Sequence, residues 1–158
     1  MDLTRRAHLQ LVACAVAFAA VSGDQPQVRI VLEDQRTGDV LTHFTAHQGS
    51  TVELSWIHSV EHALWREFYE ILGDGFLLDC TEPGSFGAGT PSNAPRTETV
   101  DGRVRFCGLG RRFERVSWIH SHAVQHRVTM NDDVMVDTTS LPHHTFISMR
   151  VSRRVIET

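Results

Sequence analysis

Two imidazole-bearing segments and one glycine-rich loop carry the residue types that could do chemistry in this 158-residue chain. Ser55-Trp56-Ile57-His58-Ser59 returns unchanged as Ser117-Trp118-Ile119-His120-Ser121, so two of the three tryptophans and two of the ten histidines stand at matched positions. Histidine is the commonest metal ligand and titrates near neutral pH, so a repeated Trp-His pair raises two readings. Either the copies are similar strands, each burying a Trp and an Ile, or His58 and His120 meet across a pseudo-symmetric pocket. The first copy continues through Val60-Glu61-His62 and Ala63-Leu64-Trp65-Arg66-Glu67-Phe68-Tyr69. His58, Glu61 and His62 satisfy the HxxEH pattern, in which two imidazoles one helical turn apart hold Zn²⁺ and the glutamate activates bound water. In a strand, His58 and His62 would share a face as well. His120, His122, His126, His143 and His144 form a second group, in which His120 and His122 share a strand face and could hold Zn²⁺ or Cu²⁺ with a third partner.

The other distinctive segment is Gly84-Ser85-Phe86-Gly87-Ala88-Gly89-Thr90-Pro91. Glycines among small residues permit positive φ and let backbone N–H groups converge into an anion-binding nest. It is no Walker loop, because all fifteen basic residues are arginine. The expected site lies where the first Trp-His segment approaches this loop. There Trp56 supplies an aromatic wall, His58 a neutral donor or acceptor, Ser59 a hydroxyl, Glu61 and Glu67 carboxylates, and Gly87-Ala88-Gly89 a nest for a carboxylate-bearing solute. Glu67 is also placed to pair with Arg66 or Arg111.

The elements that must position these groups read as strands. Val28, Ile30 and Leu32 alternate with polar neighbours, Arg36-Thr37-Gly38-Asp39 turns, and Val40 to Ala46 returns. Val52, Leu54 and Trp56 carry the two-residue period into the Trp-His segment. Gly73-Asp74-Gly75, Asp101-Gly102 and Asn131-Asp132-Asp133 punctuate further apolar runs as hairpin turns do. Arg115 to His120, His126 to Met130, Val134 to Asp137 and Thr145 to Val151 complete the set. Short strands without connecting helices specify an all-β fold, an antiparallel β-sandwich or barrel. One competing period exists: Ile57, Val60, Leu64, Phe68 and Ile71 recur at helical spacing.

Length fits a single β domain over 24–158, preceded by an N-terminal signal segment over 1–23. Arg5 and Arg6 precede the apolar stretch Leu9 to Val21, and Ala20-Val21-Ser22 offers small residues for cleavage near Ser22 or Gly23. Thirteen residues rising 1.5 Å each reach only about 20 Å, short of a hydrocarbon core, so export outweighs a permanent span, with retention as an anchor the alternative. Thr4 to Leu9 resembles a twin-arginine signal, and Leu11-Val12-Ala13-Cys14 has the look of a lipobox set too early in the apolar core. A net charge of -4 without long runs of one sign gives no reason to expect nucleic acid as a partner. Beyond the signal, Cys80 and Cys107 remain, which suits one disulfide in an oxidising compartment or two buried free thiols.

The segment Trp56 to Glu61, followed by Arg66-Glu67-Phe68-Tyr69 and then by Ser85-Phe86-Gly87-Ala88-Gly89-Thr90-Pro91, resembles the family called domain of unknown function 1850, over roughly Val28 to Val151. The resemblance implies a small exported or membrane-anchored protein encoded beside tripartite ATP-independent periplasmic (TRAP) transporters that use a TAXI solute-binding subunit. It implies an accessory role in solute uptake, with transporter subunits, the TAXI protein or a small-molecule solute as partners and membrane contact only through the N-terminus. Three readings follow: a periplasmic or cell-surface binding accessory without catalytic residues, a metal-binding domain or HxxEH-type metallohydrolase, and a non-catalytic interaction module. No nucleophile elbow, paired CxxC or dinucleotide fingerprint is present.

Overall fold

The computed structural model describes residues 25–152 apart from Phe86 and Ala88. The expected signal segment and the Ala88 member of the expected nest therefore lie outside the described residues. Strands form in the order β1 (Gln27–Asp34), β2 (Val40–His47), β3 (Thr51–Ile57), β4 (Leu64–Leu72), β5 (Gly75–Glu82), β6 (Arg96–Val100), β7 (Arg103–Phe113), β8 (Arg115–Ile119), β9 (Arg127–Met130), β10 (Asp133–Val136) and β11 (Phe146–Ser152). They build two antiparallel sheets, β2-β1-β11-β8 and β10-β9-β3-β4-β5-β7-β6, packed as a sandwich. Only two single turns of 3-10 helix, His122–Val124 and Thr138–Ser140, interrupt the strand pattern among the described residues.

Alternation in the sequence explains which face each strand buries. Val28, Ile30 and Leu32 of β1, Val52 and Leu54 of β3, Tyr69 and Ile71 of β4, and Ile147, Met149 and Val151 of β11 point into one shared core. Each such side chain, fully buried, contributes about 1.5–3 kcal/mol of transfer free energy. The turns close as their residue types require. Asp101 and Gly102 (φ 50° and 76°) and Asn131 and Asp132 (φ 52° and 67°) both occupy the left-handed region, the pattern of a two-residue hairpin whose twist matches its strands.

The competing helical period does not form a helix. β3 ends at Ile57, residues 58–63 turn, and β4 begins at Leu64. The His58 N–H donates to the Ala63 carbonyl at 2.8 Å, and the His62 N–H donates to the His58 carbonyl at 2.9 Å. These bonds close a hairpin whose αL position is His62 (φ 53°). Val60, which the helical reading would bury, is 72% exposed at the tip. The aromatic and β-branched residues on either side favour strands, and pairing from Trp56 with Trp65 to Thr51 with Glu70 decides the outcome. His58 and His62 accordingly belong neither to one helix nor to one strand.

Candidate functional site

The two Trp-His segments lie in opposite sheets, one on interior strand β3 and one on edge strand β8. In each copy Ser-Trp-Ile ends a strand, β3 or β8, and the histidine follows immediately. Trp56 and Trp118 both pack against the core. Between them stands His126, its ring centroid 6.3 Å from each indole. His58 and His120 therefore do not meet: the space between the tryptophans is filled by the imidazole of the residue just before β9. The Ile positions also depart from expectation, since Ile119 is 53% exposed. The copies echo each other through Trp and strand position, and the inward-facing Ile is not part of the echo.

Rings continue on both sides of this bridge. Trp56 stacks on Trp65 with centroids 5.9 Å apart, and Trp65 stacks on His58 at 5.3 Å. Toward the smaller sheet, His126 lies 5.6 Å from His120, His120 lies 5.6 Å from His122, and His122 lies 4.9 Å from His143. The imidazoles are held by defined bonds. Trp118 Nε1–H can only donate and the Thr138 carbonyl can only accept, so His120 accepts at Nδ1 (3.4 Å) and donates from Nε2 (2.8 Å). His126 Nδ1 accepts the Ser121 N–H at 3.1 Å, and His122 Nε2 donates to the Leu141 carbonyl at 2.9 Å. Burial, reinforced by neighbouring His120, pushes His126 down to about 4, and burial likewise lowers His120. Both are neutral imidazoles at neutral pH.

At the other end of the ring row, the glycine loop docks on the turn between β3 and β4. His58 Nδ1 pairs with the Glu61 carboxylate across the turn. A Cβ at Gly87 would meet the end of that carboxylate, so a larger residue there requires the Glu61 side chain to shift. Gly89 (φ 88°) leaves a Cβ position 3.3 Å from the Trp65 ring, and the Trp65 indole N–H donates to Thr81 Oγ1 at 2.9 Å. Gly87 N–H donates to Thr90 Oγ1 at 3.2 Å, which folds the loop back on itself. The structure thus brings together Trp56, His58, Glu61, Gly87 and Gly89. The expected nest differs in one respect: the chain's own Glu61 lies against Gly87.

Glu67 and Ser59 stand apart from that corner. Glu67 lies two residues beyond Trp65 on the same inward face of β4, where the Tyr69 hydroxyl donates to it. Burial raises its carboxyl above the ordinary range, opposed by the Tyr69 bond and the Arg111 charge. Its pairing with Arg66 does not form, because alternate residues of β4 face opposite sides and Arg66 bonds Glu82 instead. Ser59 is exposed on the turn. The metal candidates form no cation site: His62 is exposed on its turn, His120 and His122 share no strand face because β8 ends at Ile119 and His122 opens a 3-10 turn, and both ring nitrogens of His120 are engaged. Among the described residues, the one set of three ligand atoms close enough to share a cation belongs to Asp79, Cys80 and Cys107, whose two sulfurs are joined to each other. That disulfide links directly paired positions of β5 and β7 and encloses the glycine loop and β6.

Trp65 and Glu82 are among the groups that escaped the sequence reading. Trp65 joins the corner through the same alternation that places Glu67 and Tyr69, and that alternation was a usable signal. Glu82 was not visible, because its partners come from different strands. It has no exposed surface, accepts from Arg66 Nε at 2.9 Å, and accepts from Arg105 Nε and Nη2 at 3.2 and 3.0 Å. Arg103 Nε stands 3.8 Å from the same carboxylate.

Fold and corner together define a small antiparallel β-sandwich with a glycine loop seated on a Trp-His turn. The chain belongs to the family described as Domain of unknown function (DUF1850), whose model matches residues 52–135, from the Trp-His strand through β10. No curated protein and no solved structure matches it.

Proposed function

We propose that this domain is an extracytoplasmic accessory protein that binds a small carboxylate-bearing solute and serves a TRAP transporter of the TAXI type. The observation that carries this reading is the seating of the glycine loop on the ring row, with Gly87 against Glu61 and Gly89 against Trp65. An aromatic wall, backbone surface and a few fixed polar groups are the materials of small-molecule pockets. His120 is a poor candidate for a general base, since it is bonded at both nitrogens. The HxxEH residues lie on a hairpin turn, which lacks the helical spacing a zinc hydrolase needs. A disulfide suits export to an oxidising compartment. The transporter comes from the family resemblance.

Thermal melting with a panel of small carboxylates, repeated with Zn²⁺ and Cu²⁺, tests the binding. A ligand at a hundred times its Kd stabilises the folded state by about 2.7 kcal/mol, so at least one carboxylate is expected to raise Tm by several degrees, with chelator present. Silence across the carboxylates overturns the reading, and a shift with metal alone transfers it to the metal-binding alternative. Co-purification of the TAXI subunit is expected, and its failure removes the transporter assignment.

A further inference from the structure

We propose that the carboxylate is held by Arg103, in a cleft at the foot of the glycine loop. This rests on the carboxylate-binding reading and places the anion-binding group in a cleft next to the ring row, lined by none of the ring residues. The cleft has a volume of about 460 Å³; Ala63, Leu64, Pro83 and Val104 give it an apolar wall, and Ser85 and Arg103 bring its polar side chains. It opens between the start of β4, the end of β5 and the start of β7, beside the corner already described.

Charge accounting singles out Arg103. Arg66 and Arg105 both approach Glu82 with two nitrogens, one guanidinium on each carboxylate oxygen. Such forked pairs exhaust the best acceptor positions. Arg103 arrives third: its Nε is 3.8 Å from Glu82 Oε1, outside hydrogen-bond distance, and its side chain is 40% exposed. The other carboxylate in the cluster, Glu53, lies 3.8 Å from Arg66 and does not serve Arg103. Three guanidiniums against two carboxylates leave one positive charge, and the least engaged guanidinium is the one lining the cleft. A planar fork beside an apolar wall and a hydroxyl suits a small monocarboxylate with a short aliphatic or keto body. Glu82 is a positioning residue here, because it fixes Arg66 and Arg105 and sets where the surplus charge falls.

The test is titration calorimetry on the full chain with propionate, pyruvate and inorganic phosphate, comparing wild type with Arg103→Gln, Arg103→Lys, Ser85→Ala and Arg96→Gln. Arg96 pairs with Glu98 at 2.6 Å on the neighbouring strand and serves as the control. Arg103→Gln is expected to weaken carboxylate binding roughly tenfold or more while leaving the unliganded Tm unchanged, as loss of a charge-assisted fork implies. Arg103→Lys should fall between, Ser85→Ala should lose a few-fold, and Arg96→Gln should bind as wild type. Undiminished binding in Arg103→Gln overturns the Arg103 site and leaves carboxylate binding standing. Phosphate bound in preference to both carboxylates overturns the ligand class, and no carboxylate binding by wild type overturns both proposals. Should Arg103→Gln melt early, unchanged affinity in the folded Arg103→Lys and Ser85→Ala variants overturns the site.

Discussion

His126 is the residue on which the two sheets' tryptophans converge, and its protonation carries a cost that pH can expose. Its folded pKa of about 4 lies below the ordinary histidine value of 6.5, because burial and adjacent His120 disfavour the cation. Between those values the unfolded chain binds the proton more readily than the folded one, so stability rises with pH through this window and is lost as pH falls from 7 toward 4. Urea unfolding at pH 7 and pH 5 is expected to differ by roughly 1–2 kcal/mol on account of this side chain, discounted for partial solvent screening. His126→Gln should flatten that dependence even if it lowers stability at pH 7. An equally steep profile in the variant would assign the effect to other groups.

The docking of the glycine loop on the β3–β4 turn can be tested as a steric fit. Gly87→Ala sets a methyl against the end of the Glu61 side chain, which must shift to admit it, and is expected to cost about 0.5–1 kcal/mol at this exposed position. Removing the obstacle should restore the fit, so Gly87→Ala combined with Glu61→Ala is expected to be less destabilised than the sum of the two single variants. Additive losses in thermal or urea unfolding would show that the loop does not bear on Glu61. These elements also mark how far the sequence could be read. Alternation in Val52-Leu54-Trp56 and the Asp101-Gly102 and Asn131-Asp132 turns announced the strands, because side-chain period and positive φ are local properties. The approach of Glu61 to Gly87 was legible as well. What was hidden depends on pairing between distant strands. His126 reaches Trp56 and Trp118 only once β9 lies beside β3 and β8 lies in the opposite sheet. Glu82 meets Arg66 and Arg105 only in the register of β4, β5 and β7. The helical spacing of Ile57, Val60 and Leu64 competed with the strand reading because a hairpin turn can place apolar residues three and four apart with one of them in solvent.

Across the whole molecule, the Cys80–Cys107 bridge ties the two middle strands of one half of the larger sheet. Closing a loop of 27 residues restricts the unfolded chain, which the chain-entropy account values at about 3.5 kcal/mol. Urea unfolding with and without reductant is expected to differ by roughly that amount, and coincident curves would show that the bridge does not constrain the unfolded state. The smaller sheet relies on no such bond. Its second-last position is filled by β11, hydrogen-bonded to β1 on one side and β8 on the other, with Arg150 Nε donating to Glu33 across the ladder at 2.9 Å. The opening hairpin of the domain thus has no seat until the closing strand has been synthesised. Partners separated by more than a hundred residues must find each other late and pay the loop-closure entropy first. A ribosome still holding the tail would be handling an incomplete sandwich, with the hydrogen-bonding edges of β1 and β8 still waiting for their common neighbour.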